Sequence, residues 1–195
     1  MNRNVISRRG LLMGSLGLVL AGCTSISQPS SSPYAFTSYR VEPRYQRTRV
    51  AYGGGEPPGT IIVNTSERYL YLVEGGGRAM RYGVAVGEEG LNFKGVASIG
   101  RKAEWPSWRP TADMIRRKPR LQEFAAGVDG GPHNPLGAAA LYLYSGGRDT
   151  MYRLHGTNEP WLIGHAVSNG CVRLTNDDIV DLYSRCPIGT RVKVI

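Results

Sequence analysis

The sequence predicts a mainly β domain with short helices, on three observations. Short aliphatic or alternating runs recur between glycine turns from about residue 60 to the C-terminus. Prolines at 106, 110 and 119 break the middle of the chain and forbid a long helix there. A capped amphipathic helix is expected once, where Thr175 and Asp178 open a segment that would bury Ile179, Val180, Leu182 and Tyr183 and stop before Pro187.

The elements follow in chain order. Residues 1–22 carry Arg3, Arg8 and Arg9, then an apolar run from 11 to 20, then Ala21 and Gly22, which is the pattern of a signal peptide. Crossing a bilayer as a helix takes about 20 apolar residues, so this run is too short. Leu20-Ala21-Gly22-Cys23 resembles a bacterial lipobox, in which Cys23 is lipidated, and Ser7-Arg8-Arg9-Gly10 resembles a twin-arginine signal. Residues 23–58 are rich in Ser, Pro, Gly and Arg and read as a tether, with Tyr34, Phe36, Tyr39, Tyr45 and Tyr52 spaced along it. The folded domain is expected at 59–195. Strands are expected at 60–63, 69–73 and 80–86, with a Gly75-Gly76-Gly77 turn between the last two. Further strands are expected at 95–104, at 138–144 and 150–155 around Gly146-Gly147, and at 190–195.

Charge narrows the function classes. The chain has 24 Lys+Arg against 15 Asp+Glu, a net charge of +9. Residues 1–50 hold two thirds of that excess, leaving residues 51–195 at only +3. A nucleic-acid binder would concentrate its charge in the folded domain, so nucleic acid is excluded as a partner. The local cluster Arg116, Arg117, Lys118 and Arg120 reads as a solvated face.

With Cys23 assigned to lipid, two thiols remain. Cys171 lies in Ser168-Asn169-Gly170-Cys171-Val172-Arg173, a glycine-flanked turn with a nearby arginine, which favours a thiolate. Cys186 ends the predicted helix and reads as a buried apolar filler, with a disulfide as the alternative. A cysteine nucleophile needs a base, and His155, at the end of a predicted strand and followed by Gly156, is the candidate. His133 and His165 lie in loops and read as solvated or hydrogen-bonding side chains. No pair of His or Cys has metal-ligand spacing, so neither a metal nor any other cofactor is expected.

The segment His155-Gly156-Thr157-Asn158, followed sixteen positions after His155 by Cys171 in Ser-Asn-Gly-Cys-Val-Arg-Leu, resembles the active-site signature of the YkuD-type L,D-transpeptidases. The likeness covers most of residues 60–195, including Gly131-Pro132-His133-Asn134-Pro135-Leu136-Gly137 and the closing Pro187-Ile188-Gly189-Thr190. Two departures stand out: Asn169 occupies a position where many members have His, and Asn92-Phe93-Lys94-Gly95 replaces a Thr-Pro-x-Gly turn.

The resemblance implies a β-sandwich or barrel-like catalytic domain acting on peptidoglycan stem peptides. Cys171 would attack the bond between the L-centre and D-Ala of a tetrapeptide, with His155 as base, oriented by the Gly156 carbonyl. Ser168, Asn169, Gly170 and Arg173 would meet the substrate. Backbone N–H groups at Gly170 and Cys171 would bind the oxyanion. Arg173 would hold a substrate carboxylate, or else pair structurally with an Asp such as Asp177. The acceptor, whether a stem amine, a protein lysine or water, is left open. Lipid on Cys23 would anchor the protein in the periplasm, and Thr24 after it favours the outer membrane. Two other readings compete: an L,D-carboxypeptidase, and a non-catalytic peptidoglycan-binding lipoprotein. A papain-like peptidase is excluded, because there the cysteine precedes the histidine.

Overall fold

The computed structural model describes residues 33–34, 37–88 and 93–195. The leader, the lipidation candidate Cys23, most of the serine-rich run and Asn92 lie outside the described residues.

Nine strands form one sheet. Strands β1 (Thr48–Ala51), β2 (Ile61–Asn64), β3 (Tyr69–Gly75) and β4 (Arg78–Gly83) supply one side. Strands β6 (Gly95–Glu104), β7 (Ala139–Ser145), β8 (Arg148–His155) and β10 (Val172–Arg173) supply the other, and β11 (Arg191–Val194) joins them. The strand order is β1-β4-β3-β2-β11-β6-β7-β8-β10, and β5 (Val86–Gly87) pairs with β9 (Ala166–Ser168) as a separate two-stranded ribbon. Six of the eight neighbouring pairs are antiparallel, and the glycine turns at 75–77 and 146–147 close the hairpins β3–β4 and β7–β8. The exceptions within the main sheet are β2 with β11 and β8 with β10, which are parallel. The first brings the two ends of the domain together, and the second builds the site.

The helices α1 (Ala112–Arg117) and α2 (Asn176–Arg185) are short. α2 begins where expected: the Thr175 hydroxyl accepts from the Asp178 N–H, and Asp177 and Asp178 occupy the positive first turn. Its buried face, Ile179 and Leu182, joins Leu141, Leu154 and Leu174 in the main core. Each such side chain contributes about 1.5–3 kcal/mol on burial. Cys186 is buried in the same core as a free thiol.

The folded unit reaches back before residue 59. β1 pairs with β4, Tyr45 is buried against Ala85 and Ile163, and Arg47 reaches Asp181 at 3.1 Å. Gly164 permits this docking: it has φ +91°, and a Cβ there would lie 2.2 Å from the Tyr45 ring. Further upstream, the Tyr34 carbonyl accepts a hydrogen bond from the Asn176 side chain at 3.2 Å. Residues expected to be tether therefore form part of the domain, through aromatic packing that composition alone understates. In the basic cluster, Arg116 pairs with Asp113 and Lys118 with Glu88.

Candidate active site

His155 is the last residue of β8, and β10 runs beside it with Val172 opposite Leu154 and Arg173 opposite His155. Side chains alternate along strands, and paired residues share a face. Val172 and Leu154 therefore point into the core, where both are buried. On the opposite face lie His155, Arg153 and Arg173. Cys171, one residue before β10, continues that alternation. The short strand β10 is fixed on both sides: Ala85 and Arg173 exchange backbone hydrogen bonds at 2.8 and 2.9 Å, and the Leu174 N–H donates to the His155 carbonyl.

The imidazole is 4% exposed, and its Nδ1 lies 2.6 Å from the Gly156 carbonyl oxygen. A carbonyl only accepts, so Nδ1 carries the proton and Nε2 is left as the basic nitrogen. Burial, and secondly the Arg173 charge, push the His155 pKa down to about 3. The ring is thus a neutral acceptor at physiological pH.

Asn176 clamps the turn that follows. Its side-chain oxygen accepts from the N–H groups of Ala138 and Thr157, at 3.0 and 3.1 Å. Gly156 and Gly137 leave room for this: a Cβ on either would lie 2.3 or 2.1 Å from that oxygen.

Cys171 is partly exposed as a residue. Burial nevertheless raises its thiol pKa, opposed by the Arg153 backbone N–H and by the charges of Arg153 and Arg173. Its Sγ donates to the Met151 carbonyl at 3.9 Å. At rest the site therefore holds a neutral thiol and a neutral imidazole on one face, with the thiol's hydrogen bond going to Met151 and not to His155.

The remaining residues expected to meet substrate have different surroundings. Ser168 is 1% exposed, and its hydroxyl is used inside the turn: it donates to the Cys171 carbonyl at 2.5 Å and accepts from the Gly170 N–H at 3.1 Å. That geometry shapes the nucleophile's turn instead of presenting Ser168 to a ligand, and it occupies the Gly170 N–H. Gly170 has φ +119°, which favours glycine. The Asn169 side-chain oxygen is enclosed and has no hydrogen-bond partner among the described residues. Arg173 Nη1 lies 2.9 Å from Glu159 Oε2, so the acidic partner the structure gives it is Glu159 and not Asp177.

Sequence reasoning missed Asn176, Glu159, Asp149 and Arg153. Arg153 alone carried a signal, since it lies two residues before His155 on one strand and must share its face.

Comparison with known proteins places this arrangement. The family described as the L,D-transpeptidase catalytic domain, YkuD, matches residues 58–194. The "Probable L,D-transpeptidase ErfK/SrfK" of Escherichia coli (strain K12) is 38% identical over 139 residues, covering 69% of this chain and 43% of that protein. "Probable L,D-transpeptidase YbiS" of the same strain is 37% identical over 139 residues, covering 69% and 44%. The chain thus matches less than half the length of these relatives. A crystal structure from Brucella melitensis, described as a probable carnitine operon oxidoreductase caia, shares 49% identity with a TM-score of 0.54, covering 80% of this chain and 96% of that one.

Proposed function

This chain belongs to the YkuD family of L,D-transpeptidases, and we propose that it is a peptidoglycan L,D-transpeptidase with Cys171 as nucleophile. The observation that supports this is the parallel pairing of β8 with β10, which puts Cys171 on the same face as a histidine whose Nδ1 is held by the Gly156 carbonyl.

The chemistry follows from the protonation states. As Sγ of Cys171 attacks the carbonyl of the L-centred third stem residue, its proton passes to His155 Nε2. The developing oxyanion is met by the Cys171 N–H, since Ser168 occupies that of Gly170. Collapse breaks the bond to D-Ala, whose amine leaves with the proton from His155, and a thioester remains on Cys171. An incoming amine then gives up a proton to His155, forms the new amide and returns the sulfur as a thiol. A stem amine gives a cross-link, a protein lysine gives attachment of that protein to the wall, and water gives carboxypeptidase activity. The Asn169 side-chain oxygen is enclosed, so that atom is not presented to the substrate. Arg173, steadied by Glu159, supplies positive potential beside the substrate.

The same proposal puts the protein in the periplasm, exported by the 1–22 leader and held to the outer membrane by lipid on Cys23. A carbapenem-type β-lactam tests the nucleophile. Intact mass should rise by one drug equivalent, mapped to Cys171 and absent in Cys171→Ala. An unshifted mass after long incubation would contradict the assignment.

A further inference from the structure

β8 carries two more residues than β7 beside the nucleophile: Tyr142 pairs with Arg153, but Tyr144 pairs with Asp149. The bulge holds Met151 at φ +64°, a left-handed conformation that a side chain such as methionine's disfavours, and leaves it 61% exposed. Two residues hold this geometry. The Thr150 hydroxyl donates to the Leu143 carbonyl at 2.7 Å and accepts from the Tyr152 N–H at 3.2 Å. Asp149 Oδ1 accepts from the Met151 N–H at 2.8 Å and from Arg153 Nη1 at 2.7 Å, while Oδ2 accepts from Arg153 Nη2 at 3.0 Å. The Arg153 side chain is 12% exposed and lies over the Tyr142 ring, 4.4 Å from its centre.

Two residues of this stretch meet Cys171. The Met151 carbonyl accepts from Sγ, and the Arg153 N–H and guanidinium favour the charged sulfur. We propose that Asp149 is a positioning residue for the nucleophile: by tying Met151 to Arg153 it presents an acceptor for the thiol and a donor for the thiolate. The proposal rests on Cys171 being the nucleophile. An irregularity that served only to end a strand would need no bidentate clamp, and none aimed at the one reactive sulfur.

The sign of one measurement separates positioning from simple charge. The rate of Cys171 alkylation by iodoacetamide is followed against pH, with the site read by peptide mass, on the chain from Thr24 onward, which keeps every described residue. Asp149 carries a negative charge near the sulfur, and its charge alone raises the thiol pKa. If charge were its whole role, Asp149→Ala would move the alkylation midpoint to lower pH. The positioning role predicts the opposite: a midpoint higher by about one pH unit, and alkylation about tenfold slower below it. Arg153→Lys keeps the charge but loses the fork, and should fall between the wild type and Asp149→Ala.

Should Asp149→Ala fail to fold, the Met151 pair decides. Met151→Gly suits the left-handed backbone and keeps the carbonyl, so its midpoint should match wild type; Met151→Val, which the conformation excludes, should raise it. An unchanged or lowered midpoint in folded Asp149→Ala, or equal midpoints for Met151→Gly and Met151→Val, overturns the proposal. Because alkylation needs no substrate, this result is independent of whether the wild type turns over peptidoglycan.

Discussion

The side-chain oxygen of Asn176 lies 3.1 Å from the N–H of Thr157, two residues after the proposed base, and the same oxygen accepts from Ala138. One buried carboxamide on helix α2 thus fixes the turn that carries the Gly156 carbonyl. Asn176→Ala strands two buried N–H groups, at about 1–3 kcal/mol each. Urea unfolding should show a loss of about 2–6 kcal/mol. Turnover should fall further than the folded fraction does, since His155 loses its orienting neighbour.

Acid stability depends on two buried groups of opposite sign. His155 has a native pKa of about 3 against an ordinary 6.5, so below pH 6.5 the unfolded chain takes up a proton that the native state refuses. That costs on the order of 3 kcal/mol by pH 4. Asp178, buried on α2, is raised to about 6 from an ordinary 3.8, so as pH falls from 6 to 4 the native state protonates first. This gains a comparable amount, about 2 kcal/mol over that window. The two offset each other, and stability should change little between pH 6 and 4. Denaturant midpoints should reveal each group singly: Asp178→Asn should lose stability on acidification across that window, and His155→Gln should gain it. A steep slope in the wild type would show that one of these groups is not perturbed as described.

The Asn169 side-chain oxygen is enclosed without a partner among the described residues. Removing an unsatisfied buried acceptor is close to neutral. Asn169→Ala should therefore leave the melting temperature within a degree or two, or raise it. A clear loss of stability would show that this oxygen has a partner in solution.

What the sequence revealed was local. The Thr175 cap on the Asp178 N–H formed where the residues predicted it, and so did the buried Cys186, because a cap and an amphipathic face are properties of one short segment. The family was legible because the residues flanking Cys171 and His155, and their sixteen-position spacing, resemble its signature. Long-range choices were not legible. The pairing of β2 with β11 joins residues about 130 positions apart. Tyr45 looked like a linker residue until Gly164 gave it a seat. For Arg173 the sequence suggested Asp177, and only the turn after His155 brings Glu159 to it. The Asp149 clamp is visible only once the β7–β8 register is known.

The most direct test of the central claim is mass spectrometry of muropeptides after the chain from Thr24 onward is incubated with purified disaccharide-tetrapeptide, beside Cys171→Ala. Wild type should yield cross-linked dimers or exchange of the terminal D-Ala, and the variant neither. Tripeptide alone would give the activity to hydrolysis. An intact tetrapeptide in both samples, or the same products from Cys171→Ala, would contradict the account.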